Sequence, residues 1–496
     1  MPRSSPQPAA RSQGMNKPNA AGMRHQHIAR NRSIAAIAAC LLVLSGSTAF
    51  LVWYIDRTAV DVVYADTWAY LPMVGRALSG GFSATDLFAA HNENRTLLLN
   101  AVLLASAKFD AFNLVHADDI GVLFIAATGL VLLSSCINLF RGRDMAMAAA
   151  FICSALLVSA LEQWEDLLLP INFVFFATIT FGVAAIVLMH RYVVAPRPRL
   201  LSAAFLGSIA VSELALFSMG GGVVVWGINA LQITLSYLLH KTRTGSGLIV
   251  YVAVGGVSIA GYLHGLGHQI GVGFSASHPW AFVQFFLIGL GNSLVGFFHN
   301  EPYLPLDMTA GTLLFACYCG VTAIWLRLAK ADQAVALGLL CLVLLGVGEE
   351  ALIALGRLPY GVSYAAASRY SALTLISVAA SLVFFAWHAP RSRSSAVIAV
   401  LLGLAVVTFS MIDDRNELGM ADARRQYGEH LQSILRSGQI EEAEAESLEW
   451  GQVQGGSAQD IVDGNAILRD YRLSFYHNEP SATLPRRDQT LRFQNR

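Results

Sequence analysis

The chain has 496 residues, 55% of them hydrophobic and only 13% charged, with 33 Lys and Arg balancing 33 Asp and Glu. This apolar excess excludes an ordinary soluble globular protein; zero net charge by itself says nothing about partners, since the distribution of charge carries that information, and the expected setting is the lipid bilayer, with no nucleic-acid partner. A bilayer core takes roughly 20 apolar residues per helix, and many such runs are present, so an all-α polytopic membrane protein is predicted.

Residues 1–33 are rich in Pro, Ser, Ala and Arg and read as a disordered cytoplasmic tail. Arg24, Arg30 and Arg32 precede the first apolar run, residues 33–54, and place that end inside. The run lacks a convincing cleavage site and reads as an anchor helix. A large first external loop, residues 55–118, follows. It carries Asp56, Asp61, Asp66, Trp68, Tyr70, Arg76, Asp86, His91, Glu93 and Arg95, and ends in a run too short to span comfortably, residues 96–109. Carboxylates, imidazole and guanidinium beside so apolar a chain are cheap only in water or in a polar cavity at the membrane surface.

Further spans are predicted at 119–140, 145–161, 171–190, 200–219, 221–240, 248–264, a run ending at Leu328, 334–355, 370–389 and 396–411. Arg141, Arg143, Arg191, Arg197, Arg199, Lys241, Arg243, Arg327, Lys330, Arg391 and Arg393 mark the inner ends. Residues 280–299 are apolar, yet a span there would turn Arg327 and Lys330 outward, so they are read as an interfacial or dipping helix. The count is about eleven spans across residues 34–412, with the N-terminus cytoplasmic and the C-terminus outside. Residues 413–496 turn abruptly charged and mostly helical, with a break at Gly455-Gly456-Ser457. They read as an extracytoplasmic lid or a solvated tail.

All six cysteines fall in apolar runs and read as small buried hydrophobes. No Walker loop, dinucleotide fingerprint or zinc spacing is present, and the inner loops are short and basic, which argues against cytoplasmic chemistry. The predicted outer side instead collects Asp, Glu, His, Arg and Trp. Asp66, before Thr-Trp-Ala-Tyr-Leu, suits either a catalytic base or a helix N-cap. His91-Asn92-Glu93-Asn94-Arg95 suits either a polar site or a solvated turn. Trp164 and Glu165, within Glu162–Asp166, suit either sugar contact or interfacial anchoring. Glu213, inside an apolar run, must face a cavity or be paired. Asp66, His91 and Glu93 offer oxygen and imidazole ligands for Mg or Mn, but their spacing specifies no metal.

The layout resembles the GT-C superfamily of polytopic membrane glycosyltransferases. The resemblance rests on the inner N-terminus, the anchor helix and the large acidic first external loop. Within that loop it rests on Ala65-Asp66-Thr67-Trp68-Ala69-Tyr70, the helix-like residues 68–79, His91–Arg95 and the short helix 96–109. Ala367-Ser368-Arg369-Tyr370 at a later outer helix start resembles pieces of bacterial members. Many members carry adjacent acidic residues after the first helix, whereas Asp66 stands alone, so Asp56 and Asp61 remain rival bases.

The resemblance implies a bacterial inner-membrane enzyme that moves a sugar from a polyprenyl-phosphate donor to a glycan, lipid or protein acceptor at the extracytoplasmic face. Such an enzyme would serve polysaccharide biosynthesis of the cell envelope. Asp66 and Glu93 would be catalytic, and His91, Arg95, Trp164, Glu165, Arg369 and Tyr370 would bind substrate. Transfer from a lipid phosphate needs a base for the acceptor and a cation for the leaving phosphate, which a bidentate guanidinium supplies. The rivals are a lipid-linked glycan polymerase or ligase, working through residues 280–307 and 356–370, and a non-enzymatic transporter or flippase using Glu213, Glu349 and Glu350.

Overall fold

The structure is a computed structural model that describes residues 20–91, 94–140, 142–240, 244–266, 270–296, 304–443 and 458–477. Long helices dominate it; among the described residues the only strands are a pair of two residues each.

Helix α1 (Ala20–Thr58) starts well before the apolar run. Residues 20–33 were expected to be disordered, but their Ala, Met, Arg and Gln are good helix formers and extend a helix already nucleated by the span. The first loop follows as a 3₁₀ turn (Ala65–Tyr70), α2 (Leu71–Leu78), the short α3 (Ala84–Leu87), the strand pair and α4 (Leu97–Phe109). The bundle continues with α5 (Leu114–Leu139), α6 (Asp144–Val158), α7 (Trp164–Leu168), α8 (Phe173–Val193) and α9 (Ala203–Leu216). Next come α10 (Gly222–His240), α11 (Gly245–Leu263), α12 (Ile270–Ser277), α13 (Pro279–Val295), α14 (Leu304–Arg327) and α15 (Lys330–Arg357). The last elements are α16 (Ser371–His388), α17 (Arg393–Ser437) and α18 (Ala458–Asp470).

Ten helices among the described residues are long and apolar enough to cross a membrane. The predicted span at 200–219 is not one of them. Its helix, α9, has 14 residues and is about 21 Å long at 1.5 Å per residue. The shortening has local causes. Ser202 caps the start by accepting from the Phe205 N–H, and Gly220-Gly221-Gly222 turns the chain immediately after the end. A Cβ at Gly222 would lie 2.2 Å from the Leu216 nitrogen, so only glycine permits this turn. α8 and α9 form an antiparallel hairpin, with the Tyr192 and Phe205 rings 4.7 Å apart and the Ser208 hydroxyl donating to the Ala185 carbonyl at 2.9 Å. α13, expected to lie at the interface, is a shorter apolar helix of 17 residues.

α17 shows that a change of composition need not end a helix. It runs for 45 residues, about 67 Å, through the apolar-to-charged switch at residue 413. Beyond that switch Arg424 makes a two-pronged pair with Glu417, at 3.0 and 2.8 Å. All six cysteines are free; Cys40, Cys136 and Cys341 are buried, whereas Cys319 is exposed.

Two packing regions matter for the site. The main core fills the bundle with residues such as Ile186, Val225, Leu345 and Val378. A second cluster lies beyond it and joins the first loop (Val62, Trp68, Leu71, Val74) to the C-terminal segment (Leu431, Ile461, Ile467, Phe475). Residues 458–477 are therefore packed onto the first loop. A Cβ at Gly464 would meet Trp68 and Leu71 carbons at 2.8 Å, which shows how closely α18 approaches the turn.

Asp61 fastens this region. Its Oδ1 accepts from the Leu114 N–H at 3.1 Å and from the Ser474 hydroxyl at 2.8 Å. Its main-chain carbonyl accepts from the Gln432 amide at 3.2 Å. Burial pushes the carboxyl up from the ordinary range, and the two donors work against that shift. Asp61→Ala leaves buried donors without an acceptor and should cost about 1–3 kcal/mol, whereas Asp56→Ala, at an exposed position, should stay within about 0.5 kcal/mol. Chaotrope unfolding in detergent reads the difference; equal effects would remove Asp61 from this fastening role.

Candidate functional site

Asp66 owes its position to a strained turn. Tyr64 is extended and precedes Ala65, which sits at φ +51°, a left-handed conformation uncommon for a residue with a Cβ. Asp66 then falls in the first turn of the 3₁₀ helix while Trp68 anchors that turn in the loop cluster. The N-cap position belongs to Tyr64, so Asp66 does not act as the predicted cap. Its Oδ1 is buried with no hydrogen-bond partner among the described residues, and its Oδ2 lies 3.8 Å from Nε2 of His91. The His91 ring also packs against Tyr70, with centroids 4.8 Å apart. Burial pushes the Tyr70 phenol above its ordinary value, so it stays protonated.

The segment read as either site or solvated turn is a small hairpin. His91 pairs with Asn94 and Ala90 with Arg95, with residues 92 and 93 between the strands. Glu93, a predicted catalytic residue, lies outside the described residues. Asn94 ties the hairpin to the bundle: its Oδ1 accepts from the Gly220 N–H at 2.9 Å and from the Tyr262 hydroxyl at 3.3 Å.

The other half of the site comes from the link between α15 and α16. Three 3₁₀ turns (Leu358–Tyr360, Val362–Ala366 and Ser368–Tyr370) carry Tyr364, Arg369 and Tyr370, while Arg357 ends α15. The Arg369 guanidinium donates to the Tyr364 hydroxyl and lies over the Tyr364 and Tyr370 rings, 5.1 and 5.6 Å from their centroids.

These two halves meet. Asp66, Tyr70, His91, Asn94, Asn172, Arg357, Tyr364, Arg369 and Tyr370 line one cavity of about 110 Å³. It adjoins a more apolar chamber of about 330 Å³, with Asn94, Phe175, Met219, Arg357 and Tyr370 in the walls of both. A larger cavity of about 650 Å³ lies elsewhere, beside His190, Arg191 and Gly338, but no carboxylate lines it.

Four sequence-predicted site residues therefore come together: Asp66, His91, Arg369 and Tyr370. Three others do not line the cavity. Arg95 is committed to main-chain carbonyls, donating to Tyr262 at 2.9 Å, to Phe88 at 2.7 Å and to His264. It fastens the hairpin to the end of α11. Trp164, expected to stack on a sugar, is covered by the Arg424 guanidinium 3.3 Å from its ring centroid. Glu165 sits behind the site, where its Oε2 accepts from the Arg369 N–H at 3.1 Å and the Ser368 hydroxyl at 3.2 Å. It braces the Arg369 turn rather than facing the cavity.

The sequence reading missed Asn172 and Tyr364, and grouped Arg357 with the outer charges without assigning it a role. The spacing Arg357–Arg369 across a short Gly- and Tyr-containing link was the available signal. Among the described residues no group of three or more His, Cys, Asp or Glu side chains could hold a metal ion. In the described residues the polar set is instead a carboxylate, an imidazole, two guanidinia, three phenols, a threonine hydroxyl and two amides, a set that suits an anion and a hydroxylated ligand.

The class is now defined: an all-helical, multi-pass membrane protein with a polar cavity at one end of the bundle. Comparison with known proteins finds no matching family model, curated protein or solved structure.

The altered role of Arg95 has a measurable consequence. Arg95→Ala should lower stability by about 1–3 kcal/mol through three unanswered carbonyls, while leaving anion binding at the cavity intact. Thermal unfolding beside alkyl-phosphate titration separates the two effects. An unchanged midpoint with lost binding would return Arg95 to the site.

Proposed function

We propose that the protein is a membrane glycosyltransferase that moves a sugar from a polyprenyl-phosphate donor to a hydroxyl acceptor. One observation carries the reading: Asp66 and Arg369, far apart in sequence, line the same small cavity beside an apolar chamber. A carboxylate near two guanidinia is the combination that lipid-phosphate chemistry needs, and the apolar wall gives a lipid chain a way in.

In this reading Asp66 takes the proton from the acceptor hydroxyl as that oxygen bonds to the sugar's anomeric carbon. The bond from that carbon to the phosphate oxygen breaks, and the electron pair leaves with the phosphate. Arg357 and Arg369 take up its charge; guanidinia suit the task because they remain cationic when desolvated and bind two oxygens at once. His91, beside the carboxylate, orients it or binds the sugar, and Tyr70, Tyr364 and Asn172 supply neutral hydrogen bonds. A lipid-linked polymerase or ligase would use the same cavity, since the 356–370 segment lines it. The transporter reading draws on Glu349 and Glu350, both buried without partners among the described residues.

The topology that goes with this reading has eleven crossings, the short α9 being the eleventh. Two facts support it. Residues 458–477 pack on the first loop, so both belong to one side of the bilayer. An even number of crossings must then separate them, and the long helices after α1 supply nine (10 − 1). α9 runs antiparallel to α8 and ends where the Leu98 N–H donates to the Phe217 carbonyl, beside the cavity. In this reading the Arg and Lys distribution favours a cytoplasmic N-terminus and an extracytoplasmic cavity, and the bacterial inner membrane goes with the proposed chemistry. In a cysteine-free background, Cys introduced at Ser83 should react with impermeant reagent from outside, whereas Cys at Ser246 should need permeabilised cells. The reverse pattern would invert the topology.

The chemistry is tested by Asp66→Asn in detergent-purified protein, assayed for product with a polyprenyl-phosphate sugar. Transfer should fall at least about 100-fold, the low end for a general base, with the thermal midpoint and donor binding retained. Retained turnover would remove Asp66 as the base. Arg369→Lys should weaken donor binding although the charge is kept, because lysine lacks the planar fork; full donor affinity would remove Arg369 from the phosphate site.

A further inference from the structure

The apolar chamber contains a group that a plain hydrocarbon chain does not satisfy. Glu349, two turns before the end of the apolar α15, lines it. Its side chain is almost wholly enclosed, at 1% exposure, and neither carboxyl oxygen has a hydrogen-bond partner among the described residues. The opposite wall is cut back to make room: a Cβ at Gly221 would lie 2.3 Å from Oε2 of Glu349. Leu263, Leu352, Ile353 and Leu373 form much of the remaining lining. A carboxyl held this way strongly favours a ligand that brings a hydrogen bond, since polar groups enclosed in apolar surroundings cost free energy until paired.

The position of Glu349 relative to the phosphate clamp narrows the ligand. Arg357 lies in the walls of both the chamber and the polar cavity. It follows Glu349 by eight positions on one helix (357 − 349), a rise of about 12 Å. A lipid phosphate held by Arg357 therefore leaves its chain running past Glu349. Of the donors a chain can carry, a hydroxyl fits better than an ammonium, because burying a full ion pair costs desolvation of both partners. A hydroxyl can give a hydrogen bond to a carboxyl oxygen and can also accept one.

We infer that the chamber is a binding site for a phosphate-bearing lipid whose chain carries a hydroxyl group, which Glu349 receives. The inference rests on the lipid-phosphate reading of Arg357 and Arg369 and deepens it: the donor lipid held there carries a hydroxyl on the part of its chain that passes Glu349. The chamber then selects the lipid donor by that hydroxyl, leaving the cavity around Asp66 to the reacting groups.

The test uses full-length protein in detergent and two probes, decyl phosphate and 10-hydroxydecyl phosphate, whose chains span roughly the 12 Å between the two residues. Isothermal titration should show the hydroxylated probe binding about tenfold more tightly to wild type, the effect of one buried hydrogen bond. Glu349→Leu, which replaces an unpaired carboxyl with a fitting apolar group, should fold and lose the preference. Glu349→Gln should keep it, and Gly221→Ala, which crowds the carboxyl, should reduce it. Equal binding of both probes to wild type, or a preference that survives Glu349→Leu, would overturn the inference while sparing the phosphate clamp. Failure of both probes to bind wild type would instead overturn the clamp itself, and this inference with it.

Discussion

The Asp61 carboxylate is the tie on which the site end of the molecule depends. Asp61 near the head of the first loop, Leu114 at the start of α5 and Ser474 in the C-terminal segment lie far apart in sequence, and the Asp61 side chain joins them. One oxygen accepts from Leu114 and Ser474 together, and the neighbouring carbonyl takes the Gln432 amide. Around this tie the second cluster closes, with Trp68 against α18 and Phe475 nearby. Trp68 sits two residues after Asp66, so the packing of the C-terminal segment fixes the turn that presents the carboxylate. The strained Ala65 backbone needs such an enclosure, because an isolated loop would relax it.

The cavity itself is a meeting of two charge types held on separate supports. The carboxylate and imidazole ride on the first loop, and the guanidinia ride on the end of α15 and on the link after it. Glu165 holds the backbone of Arg369 from behind, while Tyr364 and Tyr370 flank its guanidinium. Such bracing keeps the guanidinium oriented, with the neutral Tyr364 hydroxyl rather than a carboxylate as its hydrogen-bond partner in the cavity. Arg95 provides the contrast. It belongs to the same polar stretch as His91, yet three carbonyls occupy it, and its work is to hold the hairpin against α11.

How much of this was legible in the sequence follows from what side-chain chemistry can and cannot say. The helical membrane class was plain from the apolar runs; Asp66 and His91 were singled out because such groups are costly next to hydrocarbon, and Arg369 and Tyr370 through the resemblance of Ala367-Ser368-Arg369-Tyr370. Arg95 and Trp164 have the right chemistry for a site, but only the three-dimensional placement of Phe88, Tyr262, His264 and Arg424 shows where that chemistry is used. Asn172 and Tyr364 are ordinary residue types whose role depends on convergence. The span at 200–219 was read too long because hydropathy is blind to a glycine turn that ends a helix at Leu216. The boundary at residue 413 is a true change of composition, but the backbone of α17 continues through it. The helical start at Ala20 was missed because a polar composition was taken for disorder.

The central claim is that Arg357 and Arg369 hold a lipid phosphate within reach of Asp66. The most direct measurement is a cryo-EM structure in lipid nanodiscs with bound polyprenyl phosphate. The account predicts phosphate density contacting both guanidinia, with the anomeric position opening toward Asp66 and His91. Phosphate density lodged elsewhere, such as beside His190 and Arg191, with the Asp66 cavity empty, would contradict it.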